Sequence, residues 1–198
     1  MLRTLQTVIL IICIAPLSEA GTITGKVTLR GARDSRDVVV YIERIPGKTF
    51  TPPAEPVRLD QRSFMFVPHV LPILAGTRVA FPNSDEIRHN VYSPFPPEKF
   101  TLGTYLSGTT MFHTFSKSGI VTLLCNVHAE MSAFVIITET PYVAVTDNQG
   151  NYSIPNVPAG TYSLTTWYEQ LKPGQSGPTR SIQVGETGLF VADFDIKK

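Results

Sequence analysis

The residues best equipped for chemistry stand together in Leu123-Leu124-Cys125-Asn126-Val127-His128-Ala129-Glu130-Met131, directly after a run of strand formers. Cys125, His128 and Met131 offer a thiolate, an imidazole and a thioether at the spacing C-x-x-H-x-x-M. All three are soft or borderline donors, and one Cys with two His and a weak axial Met is a donor set suited to copper. The thiolate donates strongly and gives an intense charge-transfer band, imidazoles hold both Cu(I) and Cu(II), and a long thioether bond favours the reduced ion. A second imidazole has to come from elsewhere in the chain.

Four histidines are available: His69, His89, His113 and His128. His89 is the expected partner. It follows the loop Pro82-Asn83-Ser84-Asp85-Glu86 at the end of one strand and opens another, where a rigid sheet can present its ring to a neighbouring loop. Metal ligands need orienting partners, and Asn90 is expected to reach across to the Cys125 loop in that role. His69, between Pro68 and Val70, and His113, beside Phe112, have no other His at ligand spacing and read as packed strand residues. The rival readings of the cluster are a buried thiol with an accidental His and Met, and a zinc site of Cys and two His completed by a carboxylate, which Met131 disfavours. No additional His cluster offers a second copper type and no nucleophile elbow is present, so the chain reads as a non-enzyme.

These donors need a frame, and the texture of the chain is that of an all-β protein: 16 Pro and 14 Gly are spread evenly and punctuate many short apolar runs. Thr22-Ile23-Thr24-Gly25-Lys26-Val27-Thr28-Leu29 alternates with period two, and Val38-Val39-Val40-Tyr41-Ile42 is a continuous run that reads as a buried strand. Residues 45–56 carry Pro46, Gly47, Pro52, Pro53 and Pro56 and read as a linker. Two strands joined by a turn at Ala75-Gly76 follow, then a strand opening at His89, then a stretch from 94 to 110 with no clear periodicity. Strands are expected at 111–115, 119–124 and 134–138, and turn-spaced runs from 143 to 194 suggest a second small sandwich containing Trp167 in its core. The closing run 189–194 reads as one strand.

Met1-Leu2-Arg3, an apolar run from Val8 to Ala15 and Ser18-Glu19-Ala20 describe a secretory signal peptide over 1–20, with cleavage near Ala20. The apolar run falls short of a membrane span, which needs about 20 residues. An acyl anchor on Cys13 is the rival, disfavoured by the bulky Ile11 and Ile12. Loss of the leader removes Cys13 and leaves Cys125 as the sole thiol, which favours a ligand role. With 17 Lys and Arg against 16 Asp and Glu and no long run of either sign, no nucleic-acid or anionic lipid partner is expected.

Phe66, Pro68, Leu71, Ile73, Gly76, Val79, Phe81 and Asn83, then His89-Asn90-Val91, then Gly119 six residues before Cys125, resemble the plastocyanin and amicyanin type of cupredoxin over residues 60–138. The short C-x-x-H-x-x-M loop is most similar to amicyanin. The resemblance implies a Greek-key sandwich and a type 1 copper site of His89, Cys125, His128 and Met131. It implies one-electron transfer in the periplasm, with a transient redox partner such as a c-type cytochrome or a periplasmic dehydrogenase. Arg88 stands where plastocyanins commonly have Pro, and Glu130 beside Met131 leaves a carboxylate axial ligand open. Ile23-Thr24-Gly25-Lys26-Val27 and the stretch from Thr146 to Tyr162 resemble the two halves of a carboxypeptidase regulatory-like, transthyretin-like sandwich. The whole is similar to periplasmic proteins of methylamine-utilisation type. It implies a discontinuous sandwich, 21–45 with 141–198, into which a copper domain at 57–140 is inserted. Copper carriage or storage on the same ligands, or a binding module with a vestigial site, are the alternative functions.

Overall fold

Period-two alternation fits the structure, a computed structural model that describes residues 20–172 and 174–197; these residues hold eighteen strands and no helix. Among them no helix is long and apolar enough to cross a membrane. The leader expected at 1–20, with Cys13, lies outside the described residues apart from Ala20.

The two ends of the chain build one β-sandwich. Its strands are β1 (Ala20–Arg30) and β2 (Val39–Ile42) from the first segment. Before the chain returns it forms β3 (Val57–Arg58), β4 (Asp60–Arg62), β5 (Met65–Val67), β6 (Val70–Leu74) and β7 (Thr77–Pro82). Next come β8 (His89–Ser93), β9 (Phe100–Tyr105), β10 (Thr110–Phe115), β11 (Gly119–Leu124) and β12 (Ser132–Thr138). The return supplies β13 (Val143–Val145), β14 (Asn151–Pro158), β15 (Gly160–Trp167), β16 (Thr179–Val184), β17 (Leu189–Val191) and β18 (Phe194–Lys197). One sheet pairs β14, β17 and β18 with β1, and the other runs β13-β2-β15-β16. Alternate residues Ile23, Val27, Leu29, Val38, Val40, Ile42, Ile154 and Leu164 fill the space between them. The closing run is broken into two strands, both parallel to β1, at Ala192-Asp193, where Asp193 Oδ1 accepts the Lys26 N–H at 2.7 Å in place of a ladder bond.

The middle of the chain forms a second sandwich from the sheet β6-β12-β11-β8-β9, the sheet β10-β7-β3 and the hairpin β4-β5. The turn at Ala75-Gly76, with Gly76 at φ +91°, passes the chain from one sheet to the other, so β6 pairs with β12 while β7 pairs with β10. Phe81, Phe115, Leu59 and Leu123 are fully buried in its core, each contributing about 1.5–3 kcal/mol by burial. The stretch 94–110 contains a strand that periodicity did not reveal. β9 pairs with β8, but a register shift between Asn90 and Tyr92 and Gly103 at φ +70° interrupt its alternation.

Two strands bury both faces, and this joins the sandwiches. In β12, Ala133, Val135 and Ile137 face the second core, while Ile136 and Phe134 face a small cluster with Val39, Val70 and Trp167. Trp167 therefore packs between the sandwiches, its ring centroid 5.0 Å from that of Phe134, rather than in the core of its own sandwich. The continuous apolar runs at 38–42 and 134–137 have the same cause.

Candidate metal centre

β11 and β12 are antiparallel neighbours with Leu124 opposite Ser132, so residues 125–131 form the loop at their shared end. The loop closes on itself: Cys125 N–H donates to Met131 O at 3.2 Å and Met131 N–H to His128 O at 3.1 Å. β8 lies on the other side of β11 with Tyr92 opposite Leu124. Three residues further along that antiparallel register, His89 comes level with the loop. The result is a group of His89, Cys125 and His128 with one donor atom from each within 4.8 Å of the others. His69 and His113 do not join it. His69 bonds Ser132 O and Glu169, and His113 bonds Glu98 and stacks on Phe100 at 3.8 Å.

The donor atoms are oriented for a shared ion. His89 is fully buried, and its Nε2 lies 2.8 Å from Asp85 Oδ2. A carboxylate accepts only, so Nε2 carries the proton and Nδ1 carries the lone pair. That Nδ1 lies 3.1 Å from His128 Nδ1, a separation that lets both nitrogens reach one ion at the ordinary metal–imidazole distance of about 2 Å. A buried thiol, two convergent imidazoles and a carboxylate behind one of them fit a soft transition metal. Cys125 is 4% exposed and Met131 1%, both packed in the second core, whereas Glu130 is exposed.

Asp85 is the residue that sequence reasoning missed. Burial pushes its carboxyl up, but hydrogen bonds from Phe64 N–H, His89 and Ser63 N–H outweigh this and hold it below its ordinary value. Its position four before His89 was visible, yet nothing in the sequence separates Asp85 from Glu86 for this role. Asn83, buried, shapes the loop between them by accepting Asp85 N–H and donating to Ile87 O at 2.7 Å. Asn90 does not brace the Cys125 loop: its Nδ2 donates to Gly103 O and Thr101 Oγ1 of β9. It follows His89 on a strand, so the two side chains point to opposite faces. Tyr105, also buried, receives Gln61 Nε2 and donates to Phe81 O. Burial raises its phenol, the Gln61 bond lowers it and nearby Cys125 raises it, with a net upward shift that keeps it protonated.

A family model described as polysaccharide lyase family 4, domain II, matches residues 114–188, from the end of β10 into the turn before β17. No curated protein matches the chain. Among solved structures, the Cu-containing nitrite reductase (NirK) from Thermus scotoductus SA-01 is 26% identical with a TM-score of 0.42, covering 50% of this chain and 25% of that one. The chain thus spans about a quarter of that enzyme's length. The purple cupredoxin from Nitrosopumilus maritimus is 21% identical with a TM-score of 0.38, covering 41% and 99%. A reduced amicyanin variant is 17% identical with a TM-score of 0.40, covering 43% and 84%.

Proposed function

We propose that the chain is an exported, periplasmic type 1 copper protein that carries single electrons between redox partners and is not itself an enzyme. The observation that carries this reading is the convergence of His89, Cys125 and His128 from two separate elements onto one point. The residues that would hold copper are His89 through Nδ1, Cys125 through Sγ, His128 through Nδ1, and Met131 through its thioether. Burial of Met131 beside Cys125, with Glu130 in solvent, supports the thioether over the carboxylate.

When bound there, copper supplies a Cu(II)/Cu(I) couple. The chain's own part is to hold the ligands still and dry. The ladder between β11 and β12 fixes both ends of the ligand loop, and Asp85 fixes the His89 ring in the tautomer that leaves Nδ1 free. His128 is partly exposed and is the path for electrons to a docked partner such as a c-type cytochrome. In this reading residues 57–140 form the copper domain, and 21–45 with 141–198 form the second domain. Separate cores in the two sandwiches support that division.

Reconstitution followed by electrochemistry tests the role. An electron carrier retains copper against a Cu(I) chelator and gives a reversible one-electron wave. Ready loss of Cu(I) without a reversible wave contradicts this and points to copper carriage.

A further inference from the structure

Phe64 stands outside every core cluster, 54% exposed, on the turn between β4 and β5. Its nearest ring neighbours are the two imidazoles of the metal centre. The Phe64 centroid is 5.1 Å from that of His128 and 6.1 Å from that of His89, with interplanar angles of 90° and 89°. Such edge-to-face contacts are a favoured aromatic geometry. The backbone beneath is unusual: Ser63 and Phe64 both have positive φ, 54° and 60°, and neither is glycine. Conformations of this kind persist only where surrounding contacts impose them.

Asp85 is the surrounding contact. Its Oδ2 accepts the N–H of Phe64 at 3.0 Å as well as the proton of His89 Nε2, and its Oδ1 accepts the N–H of Ser63. One carboxylate therefore holds both a metal ligand and the turn that aims a phenyl ring at the pair of ligands. We propose that Phe64 is a positioning lid over the metal centre, held shut by Asp85, that keeps water and small solutes from the His128 side of the ligands. It deepens the copper reading by naming what shields the site, but its geometry holds in the metal-free chain and is tested there.

The probe is iodoacetamide, with modification of Cys125 in the metal-free full chain followed by peptide mass spectrometry so that Cys13 does not interfere. Phe64→Ala is expected to raise the rate at Cys125 by about ten-fold or more, and Phe64→Leu, which keeps most of the bulk, to stay within about two-fold of the unmodified protein. The ring is half in water, so the fold survives its loss, which an unchanged denaturant midpoint verifies. Asp85→Ala also accelerates the reaction. The part of the Asp85 effect that runs through Phe64 vanishes once Phe64 is Ala, so Asp85→Ala is expected to raise the rate less in the Phe64→Ala background than in the unmodified protein.

A Phe64→Ala rate within about two-fold of the unmodified protein overturns the lid, and effects of the two substitutions that simply multiply overturn its link to Asp85. Failure of the unmodified chain to take up copper overturns the copper reading instead and leaves these rates to decide the lid.

Discussion

Replacing Asp85 with Ala removes the acceptor that holds the proton on His89 Nε2. Asp85 Oδ2 accepts the proton of His89 Nε2 at 2.8 Å in a pocket where His89 is fully buried. Because Oδ2 accepts Phe64 N–H as well as the His89 proton, an amide could keep both bonds through its single oxygen, whereas Ala keeps neither. Without an acceptor facing Nε2, nothing keeps the ring proton off Nδ1, the atom that meets His128 Nδ1 at 3.1 Å. Loss of one charge-assisted hydrogen bond to a buried ring costs about 1.5–3 kcal/mol of folding stability. Loss of an outer partner of a ligating His lowers metal affinity about 10–100-fold, or about 1.4–2.7 kcal/mol. The two ranges overlap because one hydrogen bond underlies both. Urea midpoints of the metal-free chain and competition for Cu(II) against a chelator of known affinity measure them separately. Copper affinity of Asp85→Ala within two-fold of the unmodified protein would refute the claim that Asp85 sets the ligand tautomer.

Glu98 governs an acid-sensitive part of the second sandwich. Burial pushes its carboxyl up, but hydrogen bonds from Lys117 N–H, His113 and Ser116 N–H outweigh this and hold it below its usual 4.5. A lowered folded value gives stability that is present above the unfolded value and lost as pH falls through the folded one, so Glu98→Gln flattens the decline of urea midpoints between about pH 6 and pH 3; an unchanged slope contradicts this. Trp167→Ala empties the joint between the sandwiches and costs about 3–5 kcal/mol in denaturant unfolding, and a loss below about 1 kcal/mol shows that the joint does not couple them. In the copper-loaded protein, Met131→Leu takes away even the weak donation that a long thioether bond gives the oxidised ion, and so raises the reduction potential further, at a stability cost of about 1 kcal/mol, while Glu130→Gln leaves potential and spectrum unchanged. The reverse pattern makes Glu130 the axial ligand.

Local spacing made Cys125 and His128 legible as neighbouring donors, because a loop of seven residues between paired strands has few ways to arrange them; a place for Met131 beside them belongs to the copper proposal. His89 was legible from its place at the opening of a strand, and the Tyr92–Leu124 register shows why that place works. Phe64 and Asp85 were not, because their roles depend on a hairpin turn meeting a loop some twenty residues later, and no periodicity encodes that meeting. The reading of Asn90 failed on strand parity: a residue next to a buried ligand faces away from it. At 134–137 the apolar run disclosed burial of both faces but not that Trp167 supplies the second partner. β9 escaped notice because a register shift and Gly103 disrupt the only signal a strand carries in sequence.

The most direct test of the copper proposal is the visible spectrum after adding one equivalent of Cu(II) to the protein lacking residues 1–20 and to its Cys125→Ser variant. A thiolate bound beside two imidazoles predicts an intense ligand-to-metal band in the unmodified protein that is absent from Cys125→Ser. Identical, weak spectra from the two proteins would contradict it.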